Sequence, residues 1–295
     1  MTTPLSRRAG EDGNLGVVAV VGGGTMGVGI AYVFAVAGYS VTVVEPVPRQ
    51  REVLRSTLEG ALAGAVERAK LTVAQVEAVW DRLTVVPAVD GIPTGAALAI
   101  ETVPEQVDVK LDVLRAMERA GPTVLATNTS AISIDRLAAS LHDPSRFLGM
   151  HFFNPVWSLP LVELIRGDAT SADTIEAARA AVAGVGKESI LVADIPGFAT
   201  SRLDMAAALE AMRMLEDGVA TATDIDRAAV LAYRHPVGPL RLSDIVGLDV
   251  RLDIARTLEA SHGERFAPPQ VLVDKVAAGE LGQKTGLGFH DWPDH

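Results

Sequence analysis

The chain reads as an α/β protein: a Rossmann-type, doubly wound and mostly parallel sheet, followed by an all-helical C-terminal domain. Three observations lead there. Short apolar runs alternate with longer helix-like stretches as far as Val192. The first run, Val17-Val18-Ala19-Val20-Val21, breaks into Gly22-Gly23-Gly24, and the second, Val41-Thr42-Val43-Val44, stops on Glu45. Past Ile195-Pro196-Gly197-Phe198 no further strand pattern is found and helical stretches take over. A domain boundary is therefore expected near Pro196, with residues 1–14 as a disordered tail, 15–196 as a dinucleotide-binding domain and 197–295 as a helical domain.

The glycine turn carries the strongest signal. Gly22-x-Gly24-x-x-Gly27 follows a strand and opens a helix. The three glycines provide, in order, a sharp turn, bare backbone for a pyrophosphate and close helix–sheet packing. The helix N-terminus then offers N–H groups and a partial positive charge to phosphates. Glu45 stands where a carboxylate hydrogen-bonds both ribose hydroxyls and repels a 2′-phosphate, which favours NAD over NADP.

Pro48 opens a helix running to Lys70, locally basic through Arg49, Arg51, Arg55, Arg68 and Lys70. It is either a solvated face balanced by Glu52, Glu59 and Glu67 or a landing strip for a phosphorylated ligand. A capped helix over Thr72–Arg82 leads to a strand at Leu83–Val86; further strands are expected at Ala97–Glu101, Thr123–Thr127, Phe147–Met150, Leu161–Ile165 and Ser189–Val192. Helices are expected at Gln106–Arg119, Ile132–Leu141 and Thr170–Val185, the last with Thr170 and Asp173 as a capping box. The helical domain shows stretches at Ser201–Glu216, Thr223–Ala232, Asp249–Glu259 and Pro269–Ala278. In the first of these, Met205, Leu209, Met212 and Leu215 form one apolar stripe suited to a core or a subunit interface.

Composition excludes several classes. With no cysteine among 295 residues, disulfides, thiol nucleophiles and thiolate metal sites are ruled out; no metal site is expected, and a reducing, cytoplasmic setting suits the chain. A net charge of −11 argues against nucleic acid as a partner, because no basic surplus exists to displace counterions. Ser6-Arg7-Arg8 superficially resembles an export signal, but Glu11 and Asp12 interrupt it. The apolar region from Leu15 to Val36 is punctuated by glycines, so no membrane span is expected either.

The chemistry is expected at His151 and Glu163. A histidine beside Phe152 and Phe153 is by itself an ordinary core residue. Glu163, however, lies inside the apolar run Leu161–Ile165, on what should be the neighbouring strand. Burying that carboxylate is expensive unless it is paired, and a carboxylate holding an imidazole fixes its tautomer and makes it a general base. Ser130, at the end of a strand in the same sheet, is placed to hold the hydroxyl whose proton is removed.

With these motifs assembled, the sequence resembles the 3-hydroxyacyl-CoA dehydrogenase family from about Leu15 to Phe289. The matching stretches include Gly22-Gly23-Gly24-Thr25-Met26-Gly27, Ile100-Glu101-Thr102-Val103-Pro104-Glu105, Asn128-Thr129-Ser130 and His151-Phe152-Phe153-Asn154-Pro155. Further on come Leu161-Val162-Glu163, Pro196-Gly197-Phe198, His235-Pro236-Val237-Gly238-Pro239, Asp244-Ile245-Val246-Gly247-Leu248-Asp249 and Lys284-Thr285-Gly286-Leu287-Gly288-Phe289. The resemblance implies an NAD-dependent oxidation of a (3S)-3-hydroxyacyl-CoA, of short chain such as 3-hydroxybutyryl-CoA. It implies His151 as base, Glu163 as its partner and Ser130 as substrate contact. For the cofactor it implies Gly22, Gly24, Thr25, Met26, Gly27, Glu45, Glu105, Lys110, Asn128 and Lys284. It places the CoA phosphate near Arg68 and implies a homodimer through the helical domain. Two departures stand out: Ser201 replaces the asparagine of the family pattern Pro-Gly-Phe-x-x-Asn-Arg, and Trp157 stands where a second proline commonly follows. The alternatives are the same chemistry on a carrier-protein-bound or free hydroxy acid, or a non-catalytic NAD-binding relative.

Overall fold

A computed structural model describes residues 16–293; the expected tail, residues 1–14, lies outside the described residues. The chain divides into two compact units that meet between Asp194 and Ile195.

The first unit is a single eight-stranded sheet with helices between the strands. Its strands are β1 (Val17–Val21), β2 (Ser40–Val44), β3 (Leu83–Val86), β4 (Leu98–Glu101), β5 (Val124–Thr127), β6 (Phe147–Phe152), β7 (Leu161–Arg166) and β8 (Glu188–Ala193), in the order β3-β2-β1-β4-β5-β6-β7-β8. Strands β1 to β6 are mutually parallel, and β7 runs antiparallel to β6. The reversal follows from chain length: residues 153–160 are too few for a crossover helix, so the chain turns back on itself. Strand order reverses between β1 and β4, and such a switch point opens a crevice beyond the carboxyl ends of the strands.

The intervening helices are α1 (Thr25–Ala37), α2 (Pro48–Glu67), α3 (Val73–Asp81), α4 (Val107–Ala120), α5 (Ile134–Ala138) and α6 (Ala172–Gly184). Helix α3 starts with a reciprocal capping box between Thr72 and Gln75. Helix α1 ends at Gly38, in the left-handed region at φ 104°. Central strand residues such as Val20, Leu98, Ile100 and Leu148 have no exposed surface, as expected for a sheet covered on both faces.

Two expectations are corrected here. The helix expected over Ile132–Leu141 is only the single short turn of α5, capped by the Ser133 side chain. The cap of α6 is Ser171, whose side chain accepts from the Thr174 amide, and not a Thr170–Asp173 box. The Thr170 hydroxyl is engaged elsewhere, donating to the Phe147 carbonyl at 2.7 Å.

The second unit holds α7 (Thr200–Glu216), α8 (Ala222–Tyr233), α9 (Pro239–Val246), α10 (Leu248–His262) and α11 (Gln270–Ala277). Helix α9 is an addition to the expected set. Met205, Leu209 and Met212 of the α7 stripe are fully buried in a core shared with Leu240, Leu252, Leu258 and Leu272, and Leu215 packs against it. That stripe is therefore the unit's own core and not a subunit interface. Asp244 is wholly buried and accepts from the amides of Phe289 and His290 and from the Trp292 indole, fastening the final segment to α9.

Candidate active site and cofactor cleft

The glycine turn is built as its sequence requires. Gly22 has φ +114°. A Cβ on Gly27 would run into the Gly22 carbonyl oxygen, whereas one on Gly24 would meet nothing within 4 Å. Close packing thus occupies one side of the turn while open space lies over the middle glycine. The Thr102 hydroxyl, from the end of β4, donates to the carbonyls of Val21 and Gly22 at 3.1 and 3.0 Å and holds the turn to the sheet.

Glu45 directly follows β2 and is buried. Its Oε2 accepts from the Gly23 amide at 2.8 Å and its Oε1 from the Val47 amide at 2.9 Å. Each carboxylate oxygen keeps a second lone pair, so two ribose hydroxyls can still be met. From the turn a cavity of about 890 Å³ extends past Glu45 between the apolar side chains of Val47, Ala88, Val89, Val109 and Val113. Bare backbone at a helix N-terminus, a terminal carboxylate and an apolar slot for a planar base together fit a dinucleotide. Gly22, Gly24, Thr25, Met26 and Glu45 line this cleft.

A second cavity, of about 350 Å³, shares Met26, Thr102 and Val103 with the first. Its walls carry Glu105, Lys110, Asn128, Ser130 and His151. His151 and Glu163 are direct partners in the β6–β7 ladder, so their side chains rise on the same face. Nδ1 of His151 lies 2.9 Å from Oε2 of Glu163, and Glu163 has no exposed surface. The buried acid in an apolar strand is thus paired with the imidazole, as the sequence pattern requires. Asn128 braces the same strand end by accepting from the Phe152 amide at 2.9 Å.

The floor of this cavity contains a polar cluster that sequence reasoning missed in part. Glu101, at the end of β4, is fully buried. It accepts from Lys110 Nζ at 2.7 and 3.0 Å, from the Thr127 hydroxyl at 2.6 Å and from the Val103 amide at 2.6 Å. Burial pushes its carboxyl above the usual range, although Lys110 opposes this. Lys110 also reaches Glu105 at 3.1 Å. Glu105 in turn accepts from the Thr129 hydroxyl and from the amides of Ser130 and Ala131, the amides at 3.1 and 3.3 Å. Glu101 was readable by the rule that singled out Glu163: an acid closing the apolar strand Leu98-Ala99-Ile100 has to find a cation.

The remaining expected residues lie elsewhere. Arg68 follows α2, exposed, with its guanidinium folded over Gly64. Ser201 is half-buried on α7, and Lys284 pairs with Asp249 at 2.6 Å within the helical unit. Trp157 meets Tyr32 edge-on, 5.8 Å between ring centres, on a loop whose carbonyls at Val156 and Leu159 accept from the buried Lys187.

Fold, turn and paired imidazole define a dinucleotide-dependent oxidoreductase. Comparison with known proteins makes the class particular. Residues 17–195 match the model of the 3-hydroxyacyl-CoA dehydrogenase NAD-binding domain and residues 197–292 that of the 3-hydroxyacyl-CoA dehydrogenase C-terminal domain. The chain is 40% identical over 283 residues to a 3-hydroxybutyryl-CoA dehydrogenase of Mycobacterium tuberculosis, covering 93% of this chain and 98% of the relative. It is 37% identical over 278 residues to one of Bradyrhizobium diazoefficiens, covering 93% and 94%. The solved structure of a Ralstonia eutropha (S)-3-hydroxybutyryl-CoA dehydrogenase superposes with a TM-score of 0.90 at 36% identity, covering 94% of this chain and 99% of that one. The protein belongs to the 3-hydroxyacyl-CoA dehydrogenase family, and its cofactor is NAD.

Proposed function

We propose that the protein interconverts a (3S)-3-hydroxyacyl-CoA and the corresponding 3-oxoacyl-CoA, with a short acyl chain such as 3-hydroxybutyryl. The observation that carries this reading is the buried His151–Glu163 pair on the wall of a cavity adjoining the nucleotide cleft. NAD, when bound, accepts the hydride from the hydroxyl-bearing carbon. The protein's own side chains handle the proton. Glu163 accepts a hydrogen bond from Nδ1–H, which leaves Nε2 bare to accept the substrate hydroxyl proton, and the carboxylate then stabilises the imidazolium. The Ser130 hydroxyl hydrogen-bonds the same substrate oxygen and holds it for transfer. Glu105, Lys110 and Asn128 border the nicotinamide side of the cofactor, while Glu45 and the glycine turn hold its adenosine side.

The short chain and the S configuration rest on the activities of the named relatives. Recognition of the CoA carrier rests on the family pattern, with Arg68 as the cation for its phosphate. Ser201 and Lys284 serve substrate and cofactor from the helical unit by the same pattern. The serine is shorter than the asparagine it replaces, so the same contact calls for one bridging water. A homodimer through the helical unit is supported by exposed Leu203, Leu231 and Tyr233, and a cytoplasmic location completes the reading. The test is NADH oxidation with acetoacetyl-CoA beside free acetoacetate and an acetoacetyl carrier protein. Turnover confined to the CoA thioester is expected. Turnover confined to either other form would remove CoA from the reading, and NADH binding without any turnover would remove the activity.

A further inference from the structure

We propose that Glu101 is a positioning residue for Ser130, holding the Asn128–Ala131 turn through two separate arms. The inference rests on the proposed role of Ser130 as the substrate contact.

The first arm runs through Thr127. Its hydroxyl donates to Glu101 Oε2 at 2.6 Å and accepts from the Thr129 amide at 3.3 Å. The second arm runs through Lys110 and Glu105. Lys110 Nζ has three protons, shared among both Glu101 oxygens, the Val103 carbonyl at 3.2 Å and Glu105 Oε2 at 3.1 Å. The other oxygen of Glu105 gathers the Thr129 hydroxyl and the amides of Ser130 and Ala131. Both arms start on one carboxylate without exposed surface and end on the turn that carries Ser130, whose own side chain faces the cavity. The backbone adds a third tie, from the Asn128 amide to the Glu101 carbonyl at 2.8 Å.

A carboxylate is required at this hub because every group around it is a donor. Glutamine offers one oxygen and one NH₂. With its oxygen toward the Val103 amide, the NH₂ faces the Thr127 hydroxyl and the ammonium. Thr127 then loses its acceptor, and Lys110 keeps only a neutral amide oxygen and the Val103 carbonyl on that side. Glu105 is left as its charged partner, and the ammonium draws that side chain off the turn. Reacting groups displaced by about 1 Å lose up to about 10²-fold in rate.

The experiment compares Glu101→Gln, Thr127→Val and Thr127→Ser with the wild type. Glu101→Gln is expected to lower kcat about 10- to 100-fold, Thr127→Val about 3- to 10-fold, and Thr127→Ser to restore the rate to within about twofold. Amide hydrogen exchange, read independently of activity, is expected to quicken at Ser130 and Ala131 in Glu101→Gln and Thr127→Val and to return to the wild-type rate in Thr127→Ser. Lower melting temperatures with unchanged kcat and unchanged exchange at Ser130 would overturn the proposal. Should Glu101→Gln not fold, the Thr127 pair decides by itself. A wild type that turns over no hydroxyacyl thioester overturns the parent reading, while the exchange data still decide whether Glu101 holds the turn.

Discussion

An imidazole serves as a base only if one ring nitrogen is kept bare and the cation, once formed, has a counter-charge. At His151 both conditions come from one contact, 2.9 Å from Nδ1 to Glu163. His151→Gln keeps much of the shape and removes the proposed base. Turnover is expected to fall by about 10²–10⁴-fold, with NADH affinity by fluorescence titration nearly unchanged; parallel loss of affinity would mark His151 as structural. Glu105 gives a pH-dependent counterpart. Burial works to raise its carboxyl, but the Thr129 hydrogen bond, then Lys110 and the Ser130 amide, outweigh this and hold it below the ordinary 4.5. The folded form thus binds this proton less readily than the unfolded chain. Its contribution to stability is complete above pH 4.5 and drains away as the pH falls through the lower folded value. Thr129→Val removes the leading donor and lets the folded value rise. The variant is expected to be less stable than wild type at neutral pH, with the gap in urea midpoints narrowing as the pH falls below 4.5. The gap should not close, since the Ala131 and Ile132 amides also lose an acceptor. A gap independent of pH would contradict the assignment.

At the scale of elements, the packing of α1 decides how the cleft is held. Gly29 sits where a Cβ would meet Val156 Cγ2 at 2.6 Å and Cβ at 2.7 Å. Val156 is buried, and the loop carrying it is pinned by Lys187 through two carbonyls at 2.6 Å. Neither side has room to yield, so Gly29→Ala is expected to destabilise by about 1–3 kcal/mol in chemical denaturation. Gly60→Ala, with nothing within 4 Å of its added methyl, is expected to be stabilising by a few tenths of a kcal/mol to about 1 kcal/mol, because alanine is the better helix former. Equal effects would mean that α1 and the loop are not in tight contact. These elements also mark what the sequence discloses. The strand ending in glycine, the acid closing β2 and the acid inside β7 are readable because each breaks a local pattern that only a ligand or partner can justify. Helix α9 has its own signal, Pro239 after Gly238 at the first helical position, within a stretch to which the sequence pattern assigns no element. The cap of α6 is different. Thr170 and Ser171 are chemically alike, and what takes Thr170 away is a carbonyl on β6, a contact that no local rule contains. The Thr127 and Thr129 hydroxyls belong to the same class, since threonines in and after a strand look like ordinary strand and turn residues until Glu101 and Glu105 are placed beside them.

At the scale of the molecule, the two units carry separate hydrophobic cores, one around the sheet and one around α7. The glycine turn, Glu45, the Glu101 cluster and the His151–Glu163 pair all precede the division at Asp194. Weakening the helical core should therefore leave these nucleotide contacts intact. Leu209 is fully buried in that core, and Leu209→Ala is expected to destabilise the helical unit by about 2–5 kcal/mol, the usual loss for a buried leucine. Because effects at independent sites add to within a few tenths of a kcal/mol, NADH affinity should stay within about twofold of wild type. Calorimetry with and without NADH checks both statements. Bound nucleotide stabilises whichever unit holds it, so saturating NADH should raise the unfolding temperature of the sheet unit equally in wild type and variant. If Leu209→Ala instead weakens NADH in proportion to the stability lost, the cofactor depends on the intact helical core, and Lys284→Ala tests whether the contact proposed at Lys284 carries that dependence.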